Sequence, residues 1–244
     1  MVSLVGTLGD DFLFGSLGDD VILDYAGNNL IYGGFGTDFI NTGNGNDVIY
    51  TDGDTLASLD FTPNYVDAGG GDDIIVGGFG SEVLIGGAGN DTIFGIAGNN
   101  TIDGGLGNDS LVGGIGNDVI LDVAGNNIIY GGFGTDFINT GNGDDLIYTD
   151  GDTLDTLDFT PNYVDAGGGD DIIVGGFGDE ILVGGAGDDE IYGIAGDNTI
   201  DGSFGDDFIV GGVGNDEIFD FAGNNIIYGD FGKDVIYTGN GDDL

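Results

Sequence analysis

A phrase of nine residues runs through this chain: GGFGTDFIN at 33–41, GGAGNDTIF at 86–94, GGLGNDSLV at 104–112 and GGIGNDVIL at 113–121. Counted from Gly6, its eighth position falls on Leu13, Ile22, Ile31, Ile40 and Ile49. It resumes from Ile75 to Ile147 and again from Ile173 to Ile236, always as Leu or Ile. Position 4 is Gly in every one of these about 22 copies, and position 6 is usually Asp. A fixed period this short makes each copy one step of a stack. Each step buries its apolar residue only against its neighbours.

A longer period lies over the short one. The phrase AGNN recurs around Gly27, Gly125 and Gly223, and 125 − 27 = 223 − 125 = 98. The 98-residue cassette holds nine nonapeptides and a 17-residue insert, 51–67 (TDGDTLASLDFTPNYVD) or 149–165 (TDGDTLDTLDFTPNYVD). Both prolines, Pro63 and Pro161, sit in the inserts, where a sheet best tolerates a lost N–H. Aligning TPNYVDAGG with GNNTIDGG puts Asn64 at position 6 and Val66 at position 8. Thr51–Ser58 is then left for a shortened half-coil, giving eleven half-coils per cassette. An insert that bulges out as a loop changes that parity.

Charge decides what else the fold needs. There are 45 acidic residues against one basic residue, Lys233, and no His or Cys, for a formal charge of −44. A compact chain so charged repels itself. Disorder needs low hydrophobicity as well, and this chain is 40% hydrophobic with its apolar residues periodically placed. A cationic partner must therefore join the fold.

The repeats resemble the RTX family, the hemolysin-type calcium-binding repeats of pattern G-G-x-G-x-D-x-U-x, over nearly the whole chain. The resemblance implies an all-β fold, a right-handed parallel β-roll or β-solenoid spanning 1–244 as a single roll. Two nonapeptides would make one coil, with six residues as turn and three as strand. It also implies several Ca2+ ions between successive turns of one edge, held by position-6 carboxylates and backbone carbonyls. The chemistry agrees. Glycines permit the turns that aim carbonyls at one point. An all-oxygen site suits Ca2+, whereas Mg2+ demands a tight octahedron. Without thiol or imidazole, zinc and copper are poorly served. About 13 coils at about 4.8 Å each would give a roll of roughly 60 Å.

Alternation of edges places the ligands of one ion 18 residues apart. The candidate metal ligands are Asp11, Asp20, Asp38, Asp47, Asp73, Asp91, Asp109, Asp118, Asp136, Asp145, Asp171, Asp189, Asp207, Asp216 and Asp234. The all-Asp steps 20/38, 73/91, 91/109, 118/136, 171/189, 189/207 and 216/234 should bind most strongly. Steps through Asn29, Asn100, Asn127, Asn198 or Asn225 lose a charged ligand and should bind more weakly, through carbonyl oxygens. Glu82 and Glu180 could bind or not. Asp at position 5 (Asp10, Asp19, Asp72, Asp170) reads as solvated surface. Asp52, Asp54 and Asp60 of the insert could form a further ion site or simply be solvated.

If position 8 points inward, positions 7 and 9 point outward. There stand Phe12/Phe14, Leu30/Tyr32, Val48/Tyr50, Ile74/Val76 and Ile226/Tyr228 among others, an apolar surface of the kind that marks association. Strand propensity alone would also favour such residues. Ser3–Val5 reads as a strand without its turn and TGNGDDL as a turn without its strand. The chain is then either part of a longer array or a unit of a head-to-tail filament.

The expected function is that of an extracellular, calcium-stabilised structural repeat protein. It would be a self-assembling scaffold, filament, surface-layer or adhesin segment, a homo-oligomer, exported by type I secretion as the resemblance implies. The alternative is the calcium-binding module of a larger secreted enzyme or toxin. No enzyme is expected, since every Asp cluster is explained by the repeat. The charge opposes nucleic-acid binding. No apolar stretch approaches the roughly 20 residues of a membrane span.

Overall fold

A computed structural model describes residues 1–52, 60–150 and 158–244; the remainder of each insert, including Asp54, lies outside the described residues. The chain divides into two compact units, Met1–Asp122 and Val123–Leu244. Each is a parallel β-solenoid.

In the first unit the strands are β1 (Ser3–Val5), β2 (Phe12–Phe14), β3 (Val21–Leu23), β4 (Leu30–Gly34), β5 (Phe39–Asn41), β6 (Val48–Asp52), β7 (Tyr65–Gly70), β8 (Ile74–Val76), β9 (Val83–Ala88), β10 (Thr92–Phe94), β11 (Thr101–Leu106), β12 (Ser110–Ile115) and β13 (Val119–Leu121). Odd-numbered strands stack in one sheet and even-numbered strands in another, so the chain crosses between sheets at every turn. Partners lie 18 residues apart, as in Ile102↔Leu84, because two nonapeptides complete one coil.

The second unit repeats the plan. Its strands are β14 (Ile128–Phe133), β15 (Phe137–Asn139), β16 (Leu146–Tyr148), β17 (Tyr163–Gly168), β18 (Ile172–Val174), β19 (Ile181–Ala186), β20 (Glu190–Tyr192), β21 (Thr199–Phe204), β22 (Phe208–Val213), β23 (Glu217–Phe219), β24 (Ile226–Phe231) and β25 (Val235–Tyr237). No helix among the described residues is long and apolar enough to cross a membrane.

Position 8 is the core. Ile22, Ile31, Ile40, Ile49, Ile75, Leu84, Ile93, Ile102, Leu111 and Ile120 are fully buried, as are their counterparts from Ile129 to Ile218. The flanking residues alternate outward, as in the exposed–buried–exposed pattern of Val119–Leu121. Several outer residues stack along the coils. The Phe14, Tyr32 and Tyr50 rings lie parallel at 4.7 and 4.9 Å.

Of the two readings of the insert, strand pairing follows the one with changed parity. Val66 is fully buried at position 8 and Asn64 is 3% exposed, as the alignment required. Among the described residues no extra strand intervenes. β7 follows β6 and pairs with β5 through Ile40↔Val66, while β6 pairs with β8 through Ile49↔Ile75. Both registers are 26 residues, an ordinary coil plus eight. Among the described residues the cassette from Ile31 to Ile120 has ten half-coils, β4–β13.

The position-4 glycines are needed where the coils touch. Gly89 has φ 140°, and a Cβ there would lie 2.5 Å from the Gly71 carbonyl carbon in the coil before. Ile96 and Ile194 break the rule at position 2, with φ of 71° and 67°. A left-handed conformation costs a β-branched residue about 1–2 kcal/mol. Glycine's unfolded-state entropy offsets part of that. Ile96→Gly is therefore expected to raise stability by about 1 kcal/mol in urea denaturation with calcium present. An unchanged or lowered midpoint would mean that the Ile96 side chain contributes more than its backbone costs.

Candidate metal centre

Each turn delivers one position-6 side chain to the inside of an edge. Asp20, Asp38, Asp47, Asp73, Asp91, Asp109 and Asp118 in the first unit, and Asp136, Asp145, Asp171, Asp189, Asp207 and Asp216 in the second, are all 2% exposed or less. Asp11 and Asp234 are half-buried.

Successive members are joined by one repeated hydrogen bond. The backbone N–H of a position-6 residue donates to Oδ1 of its counterpart one coil later. Asp20 donates to Asp38 at 2.8 Å, Asp73 to Asp91 at 2.8 Å, and Asp91 to Asp109 at 2.7 Å. Asp171 donates to Asp189 at 2.9 Å, Asp189 to Asp207 at 2.9 Å and Asp216 to Asp234 at 3.1 Å. The expected all-Asp steps within each unit are thus adjacent. The 18-residue rule missed two more, because they span an insert: Asp47 donates to Asp73 at 2.6 Å and Asp145 to Asp171 at 2.7 Å.

The second oxygen of these carboxylates is the reactive one. Oδ2 of Asp38, Asp47, Asp73, Asp91, Asp145, Asp171, Asp189, Asp207 and Asp216 is buried with no hydrogen-bond partner among the described residues. A buried, unpartnered carboxylate oxygen is strongly disfavoured without a cation. Backbone carbonyls face it. The point where a Cβ on Gly211 would sit lies 2.5 Å from Asp216 Oδ2 and 3.0 Å from the Gly229 carbonyl oxygen. No group of three or more acidic side chains converges among the described residues. A metal here must draw on carbonyls as well as carboxylates, as a Ca2+ site allows.

The electrostatics show the same deficit of positive charge. Burial pushes the Asp171 carboxyl up to about 8 against the Asp145 N–H bond, with the Asp145 and Asp189 charges adding to the rise. Burial likewise brings Asp38, Asp73 and Asp189 to about 7 and Asp91 and Asp145 to about 6.

Rungs that lack Asp are closed differently. Asn100 Oδ1 accepts the Glu82 N–H at 3.0 Å, so its amide nitrogen must point inward. There it donates to the carbonyls of Gly98, Ala97 and Gly113 at 3.3, 3.4 and 3.5 Å. Asn198 does the same towards Gly196, Ala195 and Gly211. The amide N–H stands where a cation would, a detail that residue type alone did not disclose. Glu82 is also satisfied within the protein. Its Oε2 accepts from Gly78 N–H at 3.0 Å, and its Oε1 accepts from Asn64 Nδ2 and Thr51 Oγ1, each at 3.1 Å.

Position 5 forms a separate ladder that sequence reasoning missed. Asp72 Oδ1 accepts the Asn90 N–H at 2.8 Å, and Asp170 Oδ1 accepts the Asp188 N–H at 2.8 Å, both exposed. In the insert, Asp60 caps its own turn, taking N–H groups from Gly36 and Thr62 at 2.8 and 3.0 Å. Asp52 is pushed up to about 6 by burial and by the neighbouring Asp60 charge.

Fold and site together define a calcium-binding parallel β-solenoid with a buried carboxylate at each Asp rung. A family model described as the RTX calcium-binding nonapeptide repeat (4 copies) matches residues 3–23, 25–55, 63–81, 76–111, 85–120, 112–147, 161–191, 174–209, 192–219 and 210–244. The chain belongs to the RTX calcium-binding repeat family. No curated protein sequence matches it. When bound, Ca2+ supplies the positive charge that the buried carboxylates lack, and the position-6 Oδ2 atoms and turn carbonyls are the groups that would hold it.

Proposed function

We propose that this protein is an extracellular structural element, a non-enzymatic scaffold that folds on meeting calcium and associates laterally through its strand faces. The supporting observation is the outer surface of the strands. Phe12, Phe39, Ile74, Ile128, Phe137, Ile172, Ile181 and Ile226 at position 7 are each 38% exposed or more. Solvated strands carry polar residues on that side. Turn position 3 adds Leu106, Ile115, Phe204 and Val213, each more than half exposed. Export by type I secretion fits this reading, because a chain lacking its cation in a calcium-poor cytosol has no counter-charge for its carboxylates. Binding is then the folding free energy.

The test is a calcium titration of the purified chain, followed by circular dichroism, light scattering and electron microscopy. Growth of β signal together with ordered assemblies at millimolar calcium is the expected outcome. A folded, monodisperse monomer would instead favour the module of a larger secreted protein. Phe39→Asp together with Phe137→Asp should reduce assembly while leaving the β signal intact, since neither ring enters the core. Unchanged assembly would remove the strand faces as the contact.

A further inference from the structure

Position 1 of the nonapeptide is usually Gly, but it is Asp at 24, 122 and 220, opening the turns DYAGNN, DVAGNN and DFAGNN. These are one per cassette, since 122 − 24 = 220 − 122 = 98. Each of these turns carries Asn at position 6, so the carboxylate lost there reappears five residues earlier. The sequence pattern singled out none of the three.

The structure places these carboxylates inside the edge. Asp24 is fully buried and Asp220 is 3% exposed. Asp220 faces the position-6 Asp207 of the preceding coil. The point where a Cβ on Gly202 would sit is 2.6 Å from Asp207 Oδ2 and 2.8 Å from Asp220 Oδ2. Among the described residues neither of those oxygens has a hydrogen-bond partner, and neither does Asp220 Oδ1. Asp24 and Asp11 also flank one point, at Gly6, and Asp24 Oδ2 lacks a partner, whereas Asp11 is half-buried and its Oδ2 accepts from the Thr7 N–H and Oγ1 at 2.6 and 2.8 Å. Asp207 and Asp220, both more than nine-tenths buried and facing one point, cannot both remain ionised without a cation between them. Lys233 is the chain's one basic residue, and its backbone N–H bonds to Asn215, on the exposed position-5 ladder.

We propose that the position-1 aspartates create a second, tighter class of divalent-cation site, in which Asp207 with Asp220, and Asp11 with Asp24, each supply two carboxylates from successive coils to one ion. Where position 1 is Gly, as at Gly211, one inward-facing Oδ2 meets a backbone carbonyl. Calcium affinity rises with the number of charged ligands, and two carboxylates balance the whole charge of the ion. These sites fill first and start the ordering of the coils on either side. The proposal rests on the calcium reading of the repeats.

Equilibrium dialysis of the full chain against radioactive calcium, with circular dichroism at each point, tests it. Two classes of site are expected, the tighter with a Kd at least about tenfold below the rest. Asp220→Asn should remove one tight ion, and Asp24→Asn with Asp220→Asn should remove two. The first order appearing at low calcium should disappear with them. Asp220→Gly restores the residue used at this position by neighbouring coils, so it tests the site with a backbone the fold already accepts. It should bind one ion fewer in the tight class and keep the ordinary ones. A single class of sites in the parent chain, or an unchanged tight class in both Asp220→Asn and Asp220→Gly, would overturn the proposal and leave the repeat reading intact. No calcium binding by the parent chain would overturn both.

Discussion

Stripped of calcium by a chelator, the chain is expected to lose its β signal near pH 8 and to regain much of it near pH 5. The sign follows from the buried carboxyls. In the metal-free fold Asp38, Asp73 and Asp189 sit at about 7, Asp171 and Glu180 at about 8 and Glu82 at about 7. Unfolded carboxyls titrate near 4. Between those limits the metal-free folded state holds more protons than the unfolded state, so its stability falls as pH rises from about 4 through 6 to 8. With calcium the slope reverses. The ion needs ionised ligands, so apparent affinity climbs through the same window and binding releases protons. Far-ultraviolet circular dichroism between pH 5 and 8, in chelator and in calcium, reads both slopes. A chelated chain equally folded at both pH values would show that the buried carboxylates do not govern stability.

Asp91→Ala is expected to cost the protein bound calcium, whereas Asn100→Ala is not. Asp91 Oδ1 holds the Asp73 N–H and its Oδ2 faces inward without a partner. Alanine removes a candidate ligand and a charge-assisted hydrogen bond worth about 1.5–3 kcal/mol. Asn100 already fills its own rung with an amide N–H, so its removal costs about 1 kcal/mol of hydrogen bonding and no ion. The converse variant is sharper. Asn100→Asp exchanges the inward N–H for an oxygen and is expected to add one calcium per chain. Dialysis gives these stoichiometries directly. Equal calcium loss in Asp91→Ala and Asn100→Ala, or no gain in Asn100→Asp, would end the assignment of ions to Asp rungs.

The core was legible because each half-coil buries a single residue. Once position 8 was counted, Ile102 and Leu111 had nowhere else to go. The site was legible to the extent that spacing along the chain equals spacing in space. That holds for Asp73 and Asp91, one ordinary coil apart. It fails for Asp47 and Asp73, which the insert puts 26 apart in number while their rungs stay adjacent. Two features depended on side-chain direction and escaped. Asn100 read as a weaker ligand, yet the N–H of Glu82 turns its amide inward and closes the rung. Asp24 and Asp220 were visible as departures from Gly, but nothing in the period says which coil a position-1 side chain faces.

The position-6 ladder also gives the molecule a polarity. The buried position-6 aspartates lean toward the coil before them, taking that coil's N–H, as Asp91 and Asp109 do. In any run of such coils the buried position-6 ladder therefore presents acceptors at one end and donors at the other, while the exposed position-5 ladder runs in the opposite sense. Two runs can be spliced only with the same sense, donors of one against carboxylates of the next. Reversed contact would set anion against anion. A fibre built from this surface chemistry has an arrow along its axis, and its two tips would grow at different rates.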